Sequence, residues 1–152
     1  MLTPINGEAH SIEEWLITFQ LLAVVVDPFT YESSWLLETA GRILHTFSGC
    51  SVRTSFIVTA TADEARQFLG PWANKALTFA DPERNFVRAC GLVELPALLH
   101  VRQNRQIATA EGWQPTSWRS LTAAVAAERN WTRPVIPAGG DPLAFSGSPA
   151  LG

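Results

Sequence analysis

The chain predicts an α/β fold, a layered sandwich with a mixed central sheet. Three observations carry that expectation. Leu21-Leu22-Ala23-Val24-Val25-Val26 is an unbroken apolar run, which a central strand covered on both faces requires. Helical and strand-like patterns alternate from there to about residue 90. After Leu95-Pro96, two β-rich stretches flank the polar turn Gln103-Asn104-Arg105, the mark of a hairpin and hence of antiparallel pairing in the same sheet.

The elements follow in order. Ser11-Ile12-Glu13-Glu14 has the form of a capping box and predicts a short helix from about Ile12 to Thr18. The apolar strand stops at Asp27-Pro28. Ser33 or Ser34 can cap the next helix, in which Leu36, Leu37, Ala40, Ile43, Leu44 and Phe47 recur at the spacing of a buried stripe. Ser48-Gly49 ends it, and Val52 to Thr59 reads as a second strand. Thr61-Ala62-Asp63-Glu64 is another capping box, opening a helix to about Leu69 that Gly70-Pro71 breaks. Leu77-Thr78-Phe79 reads as a short strand. Asp81-Pro82-Glu83 begins a further helix, with proline tolerated in its first turn, and Gly91 stands where a C-terminal glycine belongs. The hairpin strands run over about 97–102 and 106–111. Pro115 opens a last helix through Trp118, Leu121, Val125 and Ala126.

Residues 1–131 thus read as one domain, and 132–152 as a Pro/Gly-rich tail. The tail carries prolines 134, 137, 142 and 149, and no charged residue follows Asp141. Its composition suggests a flexible or extended segment, while Val135, Ile136, Leu143 and Phe145 could dock into a groove.

Composition narrows the function classes. With 152 residues, 47% of them hydrophobic and 16% charged, there is material for a real core. A net charge of −3 without a Lys/Arg run argues against nucleic acid and against a polybasic membrane patch. The first fifteen residues lack the basic-then-apolar order of a signal peptide, and the longest apolar run is too short to span a bilayer. Two cysteines, Cys50 and Cys90, are too few for a secreted disulfide scaffold, so a cytoplasmic protein with reduced thiols is expected. His10, His45 and His100 show no metal-site spacing, and neither a phosphate loop nor a dinucleotide fingerprint is present; no cofactor is expected.

The stretch FADPERNFVRACGLVELPALLHVRQNRQIATAEGW resembles the second half of thioredoxin-like and redoxin proteins. It shares their helix, glycine, Xaa-Pro, antiparallel strand pair, glycine and final helix. The resemblance covers about residues 12–130. It implies a thioredoxin-like three-layer sandwich, with Leu95-Pro96 at the family's cis-proline and Gly112 at the glycine after the hairpin. The departure is central. Where the family carries Cys-x-x-Cys, this chain reads Thr30-Tyr31-Glu32-Ser33-Ser34-Trp35-Leu36, with Ser33 and Leu36 in the cysteine slots. A serine hydroxyl cannot replace a thiolate in disulfide exchange. Peroxiredoxin-type peroxidases need a cysteine at the same helix start.

In that frame Asp27 is either the family's buried carboxylate or a turn cap. The edge before cis-Pro96 can add a peptide strand, or the turn persists for the fold alone. Tyr31, Glu32, Ser33 and Trp35 on one side and Glu94, Leu95, Pro96 and Trp113 on the other are the binding residues the resemblance implies. Phe29 joins Tyr31, Trp35 and Trp113 in a possible aromatic patch, against which stands ordinary core packing. Trp15, Trp118 and Trp131 read as core or edge-packing residues. Cys90 is a candidate reactive thiol or a buried, hydrophobe-like cysteine. The expectation is a non-redox thioredoxin-like protein that binds a polypeptide, acts as a chaperone or serves as a subunit of a larger complex. Thioredoxin-like chaperones of nickel–iron hydrogenase maturation are similar in lacking the dithiol. The alternative is a thiol-dependent oxidoreductase or peroxidase that uses Cys90.

Overall fold

The computed structural model describes residues 3–4, 20–102 and 107–151. The helix expected over 12–18, with Trp15, and the turn 103–105 lie outside the described residues. The strands are β1 (Thr3–Pro4), β2 (Gln20–Val26), β3 (Val52–Val58), β4 (Leu77–Ala80), β5 (Glu94–Leu95), β6 (Ala97–Val101), β7 (Ile107–Glu111) and β8 (Ser148–Pro149). The helices are α1 (Tyr31–Thr46), α2 (Ala62–Leu69), α3 (Trp72–Lys75), α4 (Asn85–Ala89) and α5 (Pro115–Arg129).

The main sheet has the order β1-β4-β3-β2-β6-β7, with β5 and β8 forming a separate ribbon. β2, β3 and β4 are parallel, whereas β6 runs antiparallel to β2, with Val25 opposite Ala97, and β7 antiparallel to β6. Flanked by β3 and β6, β2 is buried along Leu21–Val26. Its period of two divides that run between two cores. Leu22, Val24 and Val26 meet α1 and α5 through Leu36, Ile43, Trp118 and Val125. Leu21, Ala23 and Val25 join Phe86, Val87, Leu92 and Leu95 on the opposite face. This is a mixed sheet between helical layers, as expected.

Local chemistry sets the element ends. Thr61 and Glu64 close the anticipated capping box: the Glu64 N–H donates to Thr61 Oγ1 at 3.3 Å and the Thr61 N–H to Glu64 Oε1 at 3.0 Å. Gly91 ends α4 with φ +67. Gly41 sits mid-helix because the Trp72 ring lies against it; a Cβ there would be 2.5 Å from ring carbons.

Three local expectations are corrected. α1 starts at Tyr31 with Thr30 as its N-cap, ahead of the predicted serines. α4 starts at Asn85, not at Pro82, because the Asp81 carboxylate reaches forward to the N–H groups of Phe86 (3.2 Å) and Val87 (3.3 Å), leaving 82–84 as a loop with Arg84 in the left-handed region. The short helix α3 after Gly70-Pro71 was not anticipated. The tail is held rather than free: Ile136 is buried in the main core, Phe145 packs on it, and Asp141 pairs with Arg42 at 2.8 Å. Val135 and Leu143 remain exposed.

His100, in β6, is 1% exposed, and its Nε2 lies 2.7 Å from Gln20 Oε1. Burial, then the nearby Arg102 charge, pulls its pKa below the usual value. The unfolded histidine takes its proton near pH 6.5 and the folded one only at lower pH, so between those values the unfolded state binds more protons. Stability should be full above about pH 6.5 and decline as pH falls through the folded value. Denaturant midpoints measured from pH 7.5 to 5 should show that decline, and His100→Gln should flatten it.

Candidate functional site around Asp27 and cis-Pro96

β2 ends at Asp27, beside the start of α1 and the β5–β6 turn. The Leu95-Pro96 peptide bond is cis, as the resemblance implied. Asp27 is a hub. Its Oδ1 accepts from the Phe29 N–H at 3.0 Å, the turn-capping role, while its Oδ2 accepts from Arg84 Nη2 at 2.9 Å. Its own N–H donates to Ser33 Oγ at 3.2 Å. Its carbonyl accepts from the Thr30 hydroxyl at 3.1 Å. Ser33 Oγ and Thr30 Oγ1 are also hydrogen-bonded at 3.1 Å. Ser33 is fully buried, so the hydroxyl at the position the resemblance aligns with a cysteine stitches β2 to α1 and is closed to attack on a substrate.

The other expected site residues fall into three groups. Trp35, at 59% exposure, and Phe29, at 65%, stand at the surface, and Trp35 meets Phe145 edge-on with centroids 6.0 Å apart. Trp113 is instead fully buried: it stacks edge-on with Trp118, and its Nε1–H donates to the Pro142 carbonyl at 2.8 Å. The expected aromatic patch therefore loses Trp113 to the core. Trp118 is buried, while Trp131 is exposed and donates to the Thr46 carbonyl. Leu95 and Pro96 are buried and Glu94 is half-buried. Tyr31 and Glu32 open α1, and their side chains are outside the described residues.

The two thiols are far apart and free. Cys90 caps the C-terminus of α4 and packs against the core cluster that contains Leu95 and Ala97. Burial, then the Asp81 charge, pushes its pKa up to about 11. Cys50 lies near the start of β2, the end opposite Asp27, packed against the other core, in a cleft of about 450 Å³ that also includes Arg53 and Lys75. Among the described residues, no three His, Cys, Asp or Glu side chains converge to hold a metal ion. No helix among them is long and apolar enough to cross a membrane.

Sequence spacing gave no hint of Arg84, which is 57 residues from Asp27. With the Asp27 side chain 7% exposed and that of Arg84 16%, neither charge is well hydrated. Arg84→Leu should cost about 3 kcal/mol by stranding the carboxylate. Adding Asp27→Asn should recover much of that loss, and urea unfolding of the four-variant cycle measures the coupling.

No family model and no curated protein matches this chain. Solved structures do. A secreted disulfide oxidoreductase of Mycobacterium tuberculosis, homologous to Escherichia coli DsbE, superposes with TM-score 0.62 at 16% identity over 83% of this chain and 93% of that one. The C48S mutant of Xanthomonas campestris peroxiredoxin Q gives 0.65 at 11% identity over 84% and 90%. A hypothetical protein of Sinorhizobium meliloti 1021 gives 0.68 at 11% identity and covers 99% of this chain, tail included, and 88% of its own. The expectation of a non-redox, polypeptide-binding or chaperone-like module is corrected here: the neighbours named for an activity are thiol redox proteins. The chain has the thioredoxin-like fold.

Proposed function

We propose that this chain carries out thiol-dependent redox chemistry on a disulfide or a peroxide, with Cys90 as the single reacting sulfur. One observation supports Cys90 over Cys50: it ends α4 on the short segment leading into Leu95-Pro96 and packs against the core cluster to which Leu95 and Ala97 belong, whereas Cys50 packs against the core on the other face of the sheet. With a peroxide, the Cys90 thiolate attacks one peroxide oxygen and the O–O bond breaks, giving the sulfenic acid and an alkoxide or hydroxide that takes a proton from solvent and leaves as alcohol or water. One external thiol condenses with the sulfenic acid, releasing water, and a second frees Cys90 and leaves as the disulfide. With a disulfide, Cys90 attacks one sulfur and expels a thiolate, and an external thiol resolves the mixed disulfide. Cys50 packs against the core on the opposite face of the sheet, so it does not resolve either intermediate in this proposal. The reductant is therefore a separate thiol, available in a cytoplasmic setting. In this proposal Tyr31, Glu32, Trp35, Glu94 and Pro96 are assigned to substrate binding, while Ser33, Leu95 and Trp113 support them from the buried side.

The pH dependence is the test. A thiol with a pKa of about 11 is ionised in roughly one molecule in ten thousand at pH 7. Peroxide or disulfide turnover should rise about tenfold per pH unit between pH 7 and 10. Cys50→Ser should keep that activity and Cys90→Ser should abolish it. Turnover untouched by Cys90→Ser removes the proposal.

A further inference from the structure

We propose that residues 145–150 form a built-in strap that closes the edge beside cis-Pro96, and that its release uncovers that edge and the Cys90 cluster. The proposal deepens the thiol reading, but the docking stands without it.

The contacts are continuous. The Phe145 N–H donates to the Trp113 carbonyl at 3.0 Å, and the Trp113 N–H returns to the Phe145 carbonyl at 2.9 Å. The Phe145 ring abuts the exposed Trp35. The Gly147 N–H reaches Glu94 Oε2 at 3.3 Å. β8 then pairs antiparallel with β5, Ser148 opposite Leu95 and Pro149 opposite Glu94. The Ala150 N–H donates to the Val93 carbonyl at 2.8 Å, and Arg84 donates to the Ala150 carbonyl. The Ala150 methyl is 1% exposed and belongs to the apolar cluster on which Cys90 packs. The strand-adding edge is thus filled by the chain itself.

Two features mark this segment as separable from the sheet. Its ladder partners are the two-residue strand β5 and, through Phe145, the single residue Trp113, all outside the six-stranded sheet. The chain leading into it is largely at the surface, with Leu143 91% exposed, and is pinned through Asp141 to Arg42 and Thr39 on α1. A two-residue ribbon outside the main sheet, with Ser146 and Pro149 exposed, is drawn from the low-stability end of a fold.

Gly147 offers the lever. A Cβ there would lie 2.7 Å from Glu94 Cβ and 2.8 Å from the Leu95 carbonyl, so any larger residue wedges the strap off its edge. The test uses the full chain in a Cys50→Ser background and measures Cys90 alkylation by iodoacetamide at pH 9. Gly147→Val should speed labelling at least about tenfold, the shift in opening expected from one overpacked side chain, with near-ultraviolet circular dichroism of the tryptophan core retained. Phe145→Ala, which removes the ring but adds no bulk, should speed it in the same direction and serves if Gly147→Val does not fold. Labelling unchanged in the folded variants overturns the strap. Faster labelling without peroxide or disulfide turnover keeps the strap and rejects the thiol enzyme.

Discussion

The ion pair between Asp27 and Arg84 is the constraint on which this end of the molecule depends. Asp27 terminates the central strand, and its backbone and carboxylate together organise the turn into α1 through Phe29, Thr30 and Ser33. Arg84 comes from the loop before α4, and its guanidinium divides its donors between Asp27 and the Ala150 carbonyl. One cation therefore joins the strand end, both helix entries and the tail. Two partly dehydrated charges justify their burial only when the remaining donors and acceptors are also used. Here the tail carbonyl uses one of them. The left-handed backbone at Arg84 follows from the same requirement, since Asp81 caps α4 from behind and the loop must turn sharply to deliver the guanidinium.

The same hub explains how the fold keeps its shape without the dithiol. A buried serine and a threonine take the place of sulfur chemistry with hydrogen bonds from side chain to backbone, which are local and need no ionisation. The reactive possibilities then rest with the two thiols elsewhere. The high pKa of Cys90 follows from its position: the apolar cluster disfavours a thiolate, and the Asp81 carboxylate, needed to cap α4, adds repulsion. At neutral pH such a thiol stays protonated, and anything that wets that cluster would lower the barrier to ionisation.

Much of the fold was legible because it is written in short-range pattern. The apolar run 21–26, the Thr61–Glu64 capping box, the stripe on α1, Gly91 and the Leu95-Pro96 turn each state their role within a few residues. What escaped depends on contacts across the chain. Nothing near Arg84 points to Asp27, and nothing near Trp113 distinguishes a surface aromatic from one buried under Pro142. The late start of α4 turned on a side chain, Asp81, reaching five residues forward. In the tail, the small residues Gly147, Ser148 and Ala150 were a signal in hindsight: a segment that must lie flat on a strand edge has no room for bulk. Asp141, the last charge in the sequence, likewise marks where the tail is anchored to Arg42. The functional expectation failed for a related reason. It rested on the missing dithiol, whereas the solved neighbours named for an activity are thiol redox proteins.

The central claim is that the tail closes the cis-Pro96 face as a unit separable from the sheet. Native-state hydrogen exchange on the unmodified protein, resolved to single amides, tests it most directly. The account predicts that the amides of Phe145 and Ala150 exchange through a shared partial opening that leaves those of Val24 and Leu99 protected. Exchange of the tail amides only in step with β2 and β6, at the free energy of global unfolding, would contradict it.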